Sequence, residues 1–162
     1  MKTVKPFRFL STDAIFSRWH VFTAQTGAPF TVNLGVDQAN IGAGPAQRPN
    51  QLRSPNLPGG KRTPDHWFDT AALTLPAAFT FGDASRNSVI GPGFSNLDLA
   101  VLKTWALVEP VGLELRWETF NLLNHTNFDL PNRTFSTSTA NFGRIFSAKS
   151  PREMQIGVRL SF

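Results

Sequence analysis

The chain has 162 residues, 41% hydrophobic and 17% charged, with 16 Lys and Arg against 11 Asp and Glu and no cysteine. That length allows one domain with a real core, and the lack of cysteine excludes a disulfide framework and zinc–thiolate sites. No stretch approaches the roughly 20 apolar residues of a spanning helix, so any membrane role has to be barrel-like or peripheral. The basic residues are scattered and form no binding stripe, so nucleic acid is not expected as a partner.

The start, Met1-Lys2-Thr3-Val4-Lys5, has the charge of a signal-peptide opening, but Arg8 and Asp13 interrupt the apolar run that should follow. No signal peptide is therefore expected in this chain, and residues 1–13 read as a poorly defined N-terminal segment. Either the protein is not exported or its true beginning lies elsewhere. Residues 14–24 are rich in β-formers, and Phe30, Val32 and Leu34 alternate through 29–35. With only Gln25-Thr26-Gly27-Ala28 between them, the two segments predict a tight hairpin.

From 36 to 92 the composition shifts to Gly, Pro, Asn, Arg and Asp, which forbids a central strand or a long helix. This predicts a long loop, longer than compact soluble domains usually tolerate. A strand over 94–105 then places Leu97, Leu99, Val101 and Trp105 on one side and Asn96, Asp98, Ala100 and Thr104 on the other. Lys103 is the one charge in the apolar phase, and it is expected to snorkel beside Trp105. After a short connection, 111–122 alternates Val111, Leu113, Leu115 and Trp117 against Gly112, Glu114, Arg116 and Glu118. A second long loop, 123–151, leads to a last strand in which Met154, Ile156, Val158, Leu160 and Phe162 share one face.

Connections that run short, long, short, long put both turns at one end of the sheet and both loops at the other, as in transmembrane barrels. Strands of about 9–11 residues suit a tilted bilayer crossing. The expected fold is all-β: an antiparallel up-and-down meander of about five strands. It forms an open fragment of a transmembrane β-barrel with two long extracellular loops. The same alternation would serve a soluble β-sandwich binding module, for carbohydrate or another ligand, using Trp19, Trp67, Trp105 and Trp117. Fifteen Phe and four Trp without Tyr mean that Phe and Trp would have to form any interfacial girdle.

The ending resembles the carboxy-terminal assembly signal of outer-membrane barrels, carried here by Ile156, Val158, Leu160 and Phe162. A wider resemblance runs through Gln25-Thr26-Gly27-Ala28-Pro29-Phe30, Trp67-Phe68-Asp69-Thr70-Ala71-Ala72 and Phe81-Gly82-Asp83-Ala84-Ser85-Arg86-Asn87. It continues through Gly91-Pro92-Gly93-Phe94-Ser95-Asn96-Leu97-Asp98, Glu118-Thr119-Phe120-Asn121-Leu122-Leu123-Asn124-His125-Thr126-Asn127-Phe128 and Asn141-Phe142-Gly143-Arg144-Ile145. These stretches, in this order, resemble the carboxy-terminal barrel end of TonB-dependent outer-membrane receptors, especially the group with a carboxypeptidase-regulatory-like domain. The resemblance covers most of the chain. It implies a partial receptor barrel domain whose complete protein, a barrel of about 22 strands around a plug, takes up a scarce ligand across the outer membrane.

No plug, TonB-box segment or earlier strand is recognised, so the chain is expected to be a fragment, inactive if isolated. The implied partners are outer-membrane lipid, the barrel-assembly machinery, an unknown ligand, and TonB through the missing plug alone. Leu97, Leu99, Val101, Trp105, Leu113, Leu115 and Trp117 are the expected lipid-facing residues. Asp98, Glu114, Arg116, Glu118 and Arg159 are expected to face the lumen, where opposite charges on neighbouring strands pair.

Arg48, Arg53, Lys61 and Arg62 are candidate loop contacts to a ligand or to anionic lipopolysaccharide. His20, His66 and His125 lack partners at metal-ligand spacing. Gly59-Gly60-Lys61-Arg62-Thr63 lacks the first glycine of a phosphate loop. No catalytic constellation is evident, and neither a cofactor, a metal nor an enzyme activity is expected.

Overall fold

The computed structural model of the protein describes residues 15–42, 47–136 and 140–162. The segment 1–13, and with it the signal-peptide reading, lies outside the described residues. The strands are β1 (Ile15–Gln25), β2 (Pro29–Phe30), β3 (Asn33–Leu34), β4 (Asn50–Gln51), β5 (Leu73–Thr74), β6 (Val89–Ile90), β7 (Phe94–Val108), β8 (Val111–Phe120), β9 (Thr134–Phe135) and β10 (Glu153–Ser161). Two single-turn 3-10 helices, Gly59–Lys61 and Thr70–Ala72, complete the set. The described chain is thus all-β, and it divides into two compact units.

The first unit holds the four long strands in one open sheet, ordered β1-β7-β8-β10. β8 pairs antiparallel with β7 on one side and with β10 on the other. Glu109 and Pro110 are the whole connection between β7 and β8, and a bulge between Ala106 and Val108 adjusts the register just before it. Directly opposed residues share a face. Ile156 lies opposite Trp117, which lies opposite Val101; Val158, Leu115 and Lys103 form a second row, and Leu160, Leu113 and Trp105 a third. The other face carries the rows Gln155–Glu118–Ala100, Gly157–Arg116–Leu102 and Arg159–Glu114–Thr104.

The hairpin expected between 14–24 and 29–35 does not form. Pro29 and Phe30 pair antiparallel with Ile90 and Val89, and Asn33 and Leu34 pair parallel with Thr134 and Phe135. The reason lies in the glycines of the turn. A Cβ on Gly27 would stand 1.9 Å from the Gly91 carbonyl oxygen, and the Gly91 N–H donates to the Ala28 carbonyl at 2.9 Å. The backbone at 27–29 is therefore occupied by 90–91, and β1 takes β7 as its neighbour instead. Among the described residues the sheet accordingly has four long strands where about five were expected, and its connections run long, short, long.

The second unit, Ala24–Phe94 with Thr126–Lys149, gathers most of both segments expected as loops around a core of their own. Phe30, Val32, Phe68, Leu73, Ala84 and Val89 are buried together, with Trp67, Phe135 and Phe142 packed against them. Phe68 meets Phe30 edge-on at 6.0 Å between ring centroids and Phe142 at 5.2 Å, and Phe142 meets Phe135 at 5.2 Å. Such geometries set the positive ring edge against the negative ring face and add about 0.5–1.5 kcal/mol per pair beyond area burial. Proline and glycine forbid long strands here, as the composition implies, but two-residue strands and turns suffice to close a core when aromatic side chains supply its volume.

Ion pairs and a capped carboxylate tie this unit together. Arg144 reaches Asp65 at 2.6 Å, Arg53 reaches Asp69 at 2.7 Å and Lys149 reaches Asp129 at 2.6 Å. The Lys149 ammonium and the Ser147 side chain hold the Asp129 carboxyl below the ordinary carboxylate range. Desolvation by the surrounding turn acts to raise Asp37, but hydrogen bonds from the Ile41 N–H, the Gln47 amide and the Gly42 and Asn40 N–H groups outweigh it and leave the exposed Asp37 lowered.

Candidate functional site

The surface that sets this molecule apart is the apolar face of the sheet. In a water-soluble sheet the greasy phase is covered by another layer. Here Ile156 is 73% exposed, Val158 68% and the terminal Phe162 94%, with Met154 and Leu160 also exposed. Leu115 is exposed, and Leu97, Leu99, Val101, Trp105, Leu113 and Trp117 are half-buried. On β1, Ile15, Trp19 and Val21 on one face and Phe16 and Phe22 on the other are all exposed. Exposed apolar area on this scale marks an interaction surface rather than ordinary surface scatter.

Lys103 sits in this face, opposite Leu115, with its ammonium 4.9 Å over the Trp105 ring. The contact beside Trp105 is the one expected. Its depth differs, because β7 continues to Val108 and leaves Lys103 further from the turn. An ammonium over an indole face gains about 0.5–2 kcal/mol, more as water is excluded.

The opposite face is polar, and part of it is linked. Arg116 Nε meets Glu118 Oε1 at 2.7 Å, and the Gln155 amide donates to the other Glu118 oxygen. Arg159 and Glu114 lie directly opposite each other. Asp98 differs from the other four charges: its carboxylate accepts the Asn121 N–H at 2.9 Å and the Asn96 amide at 2.8 Å. It organises the end of the sheet rather than the middle of a polar face.

That end is held by residues which sequence reasoning did not single out. Asn121 is buried and left-handed at φ 53°. Its Oδ1 accepts the His125 N–H and its Nδ2 donates to the His125 carbonyl, both at 2.9 Å. Asn124, at φ 51°, accepts the Arg152 N–H at 3.0 Å, so the chain leaving β8 is stitched to the chain entering β10. The signal was present as two asparagines three apart, since asparagine tolerates left-handed backbone and bonds its own turn.

The basic loop residues do not converge. Arg53 is paired with Asp69, and Arg62 donates to the Leu57 carbonyl at 2.7 Å while its guanidinium lies 5.8 Å over the Trp67 ring. Lys61 is exposed in its 3-10 turn and Arg48 is half-buried. Among the described residues no group of three His, Cys, Asp or Glu could hold a metal ion. A shallow, mainly apolar depression of about 200 Å³ opens between β1, β7 and β8, bordered by Trp19, Val21, Ala100 and Phe120.

An open antiparallel sheet of long strands, greasy on one uncovered face and charged on the other, defines a barrel wall of the outer-membrane class. A family model described as an outer membrane beta barrel domain matches residues 11–155, and the chain belongs to that family. Its place is accordingly the outer membrane. No curated protein and no solved structure matches the chain.

Proposed function

We propose that this chain is the carboxy-terminal barrel end of a TonB-dependent receptor, whose complete protein takes up a scarce ligand across the outer membrane. The observation that carries this reading is the register of β7, β8 and β10. It aligns Val101, Trp117 and Ile156, and then Leu113 and Leu160, into one uncovered apolar face that stops at Phe162. In this reading that face meets lipid, the Glu118–Arg116 row and its neighbours face the lumen, and Ile156, Val158, Leu160 and Phe162 engage the assembly machinery. The matched family residues stop within β10, so the assembly signal rests on the pattern alone. Four strands are half of the smallest bacterial barrels. Open edges are not tolerated in hydrocarbon, so further strands complete the wall. The charged pairs are structural, the chain performs no catalysis, and TonB acts through a plug outside these residues.

Two measurements test this. Membrane fractionation of the expressed protein, with heat-modifiable migration on gels, is expected to place it in the outer membrane and to lose that placement when Phe162 is removed. Sequencing upstream of Met1 is expected to show an in-frame plug and signal sequence. A promoter directly before Met1, or a protein that stays in the aqueous fraction, defeats the receptor reading.

A further inference from the structure

We infer that Lys103 and Trp105 form a binding site for the phosphate of a phospholipid headgroup on the apolar face of the sheet. The inference rests on the reading of that face as lipid-facing, and it names what one part of the face holds. Lys103 is an interior position: β7 has β1 on one side and β8 on the other, so both strands flanking this lysine belong to the described chain. Neither supplies an anion. β1, IFSRWHVFTAQ, has no acidic residue, and β8 sends Glu114 and Glu118 to the other face, leaving Leu115 opposite Lys103 and Val158 beyond it. On β7 itself Asp98 faces the other way and is engaged with Asn121 and Asn96, and Glu109 stands in the turn. Among the described residues no carboxylate forms an ion pair with the Lys103 ammonium.

A cation held in an apolar face needs an anionic partner or a path to the interface. The side chain takes that path. Its ammonium lies 4.9 Å over the ring of Trp105, which follows it on the same face in the direction of the Glu109–Pro110 turn. The lysine thus snorkels toward the short-turn end, where a barrel meets the headgroup layer on its periplasmic side. Trp105 brings a second donor. Its indole N–H has no acceptor among the described residues, whereas that of Trp67 donates to the Ile90 carbonyl at 2.9 Å. An indole N–H at a membrane interface ordinarily finds a polar partner. Two donors at one ring, one of them charged, can take two oxygens of a single phosphate, and charge-assisted bonds of this kind are the stronger ones. Leu113, Leu115, Val158 and Leu160 surround them in the adjoining rows as a surface for acyl chains. That apolar surround selects a phosphate carried on a lipid over a free one.

The test uses the protein extracted from outer membranes into mild detergent, with heat-modifiable migration checking that each variant is folded. Native mass spectrometry then measures retention of added phosphatidylethanolamine, of diacylglycerol with the same acyl chains, and of inorganic phosphate. Lys103→Met is expected to weaken phosphatidylethanolamine retention about tenfold, the scale of one charge-assisted bond. Trp105→Phe, which keeps a ring and removes the N–H, should weaken it about threefold, and Lys103→Arg should retain it. Diacylglycerol should be held equally by all variants, and inorganic phosphate by none. Unchanged phosphatidylethanolamine retention in Lys103→Met, an equal loss of diacylglycerol, or retention of inorganic phosphate alone overturns the site while leaving the receptor reading in place. A protein found in the aqueous fraction overturns both, since a lysine in water needs no lipid partner.

Discussion

The Asp98 carboxylate accepts the backbone N–H of Asn121 at 2.9 Å, tying β7 to the residue at which the chain turns out of β8. On its other side the same turn is tied to the approach to β10 through Asn124 and Arg152. Three strands of the wall are thus registered at one end by side-chain-to-backbone bonds, and at the other end of β7 and β8 by a two-residue turn.

Asn121→Ala is expected to destabilise the folded sheet by about 2–4 kcal/mol, combining the left-handed backbone of a residue with a Cβ and two lost hydrogen bonds. Asn121→Gly keeps the backbone conformation available, and should recover about 1 kcal/mol of that loss. Urea midpoints in detergent measure both. Equal losses for the two variants would remove the conformational part of the explanation.

Val158 lies in the middle of the uncovered face and reports what that face meets. If it meets hydrocarbon, Val158→Arg costs about 2–4 kcal/mol near the bilayer midplane. If it meets water, the cost is within about 0.5 kcal/mol, as for ordinary surface substitutions. Comparing unfolding of the variant and the unmodified chain in lipid vesicles separates the two outcomes, and the larger cost is expected.

Phe68 is 1% exposed and touches both Phe30 and Phe142. Truncation to Ala should cost about 3–5 kcal/mol, as for other buried aromatic residues. Because the core of the second unit is its own, amide exchange should accelerate at Val32, Leu73 and Val89 and leave β8 and β10 nearly unchanged. Uniform acceleration through the sheet would show that the two units unfold as one.

The carboxylates of Asp37 and Asp129 set an acid limit on the second unit. Both have folded-state values below the ordinary 3.8. A lowered acid binds fewer protons folded than unfolded near that value, so its contribution is complete above about pH 3.8 and declines as pH falls through the folded value. Asp129→Asn should flatten this acid dependence and change little at pH 7 beyond the loss of a half-exposed ion pair. Amide exchange at Phe68 across an acidic pH series provides the check. An unaltered acid profile in Asp129→Asn would assign the limit elsewhere.

Much of the wall was legible because strand side chains alternate without regard to context. Leu113, Leu115 and Trp117 must face away from Glu114, Arg116 and Glu118 whatever the partner, and the register only aligned that stripe with its neighbours. Partner choice was not legible. Residues 29–35 carry the same alternation, yet they pair with 89–90 and 134–135, because a close backbone approach at Gly27 and Gly91 claims that segment. Proline and glycine between 36 and 92 excluded long elements, but a core made of Phe30, Phe68, Phe135 and Phe142 requires side chains brought together from both excursions. Local sequence determined which face of each strand is apolar, since that depends on neighbours along the chain. Only the tertiary structure decided which strands meet and that the excursions share a core, because contacts between residues distant in sequence leave no periodic trace.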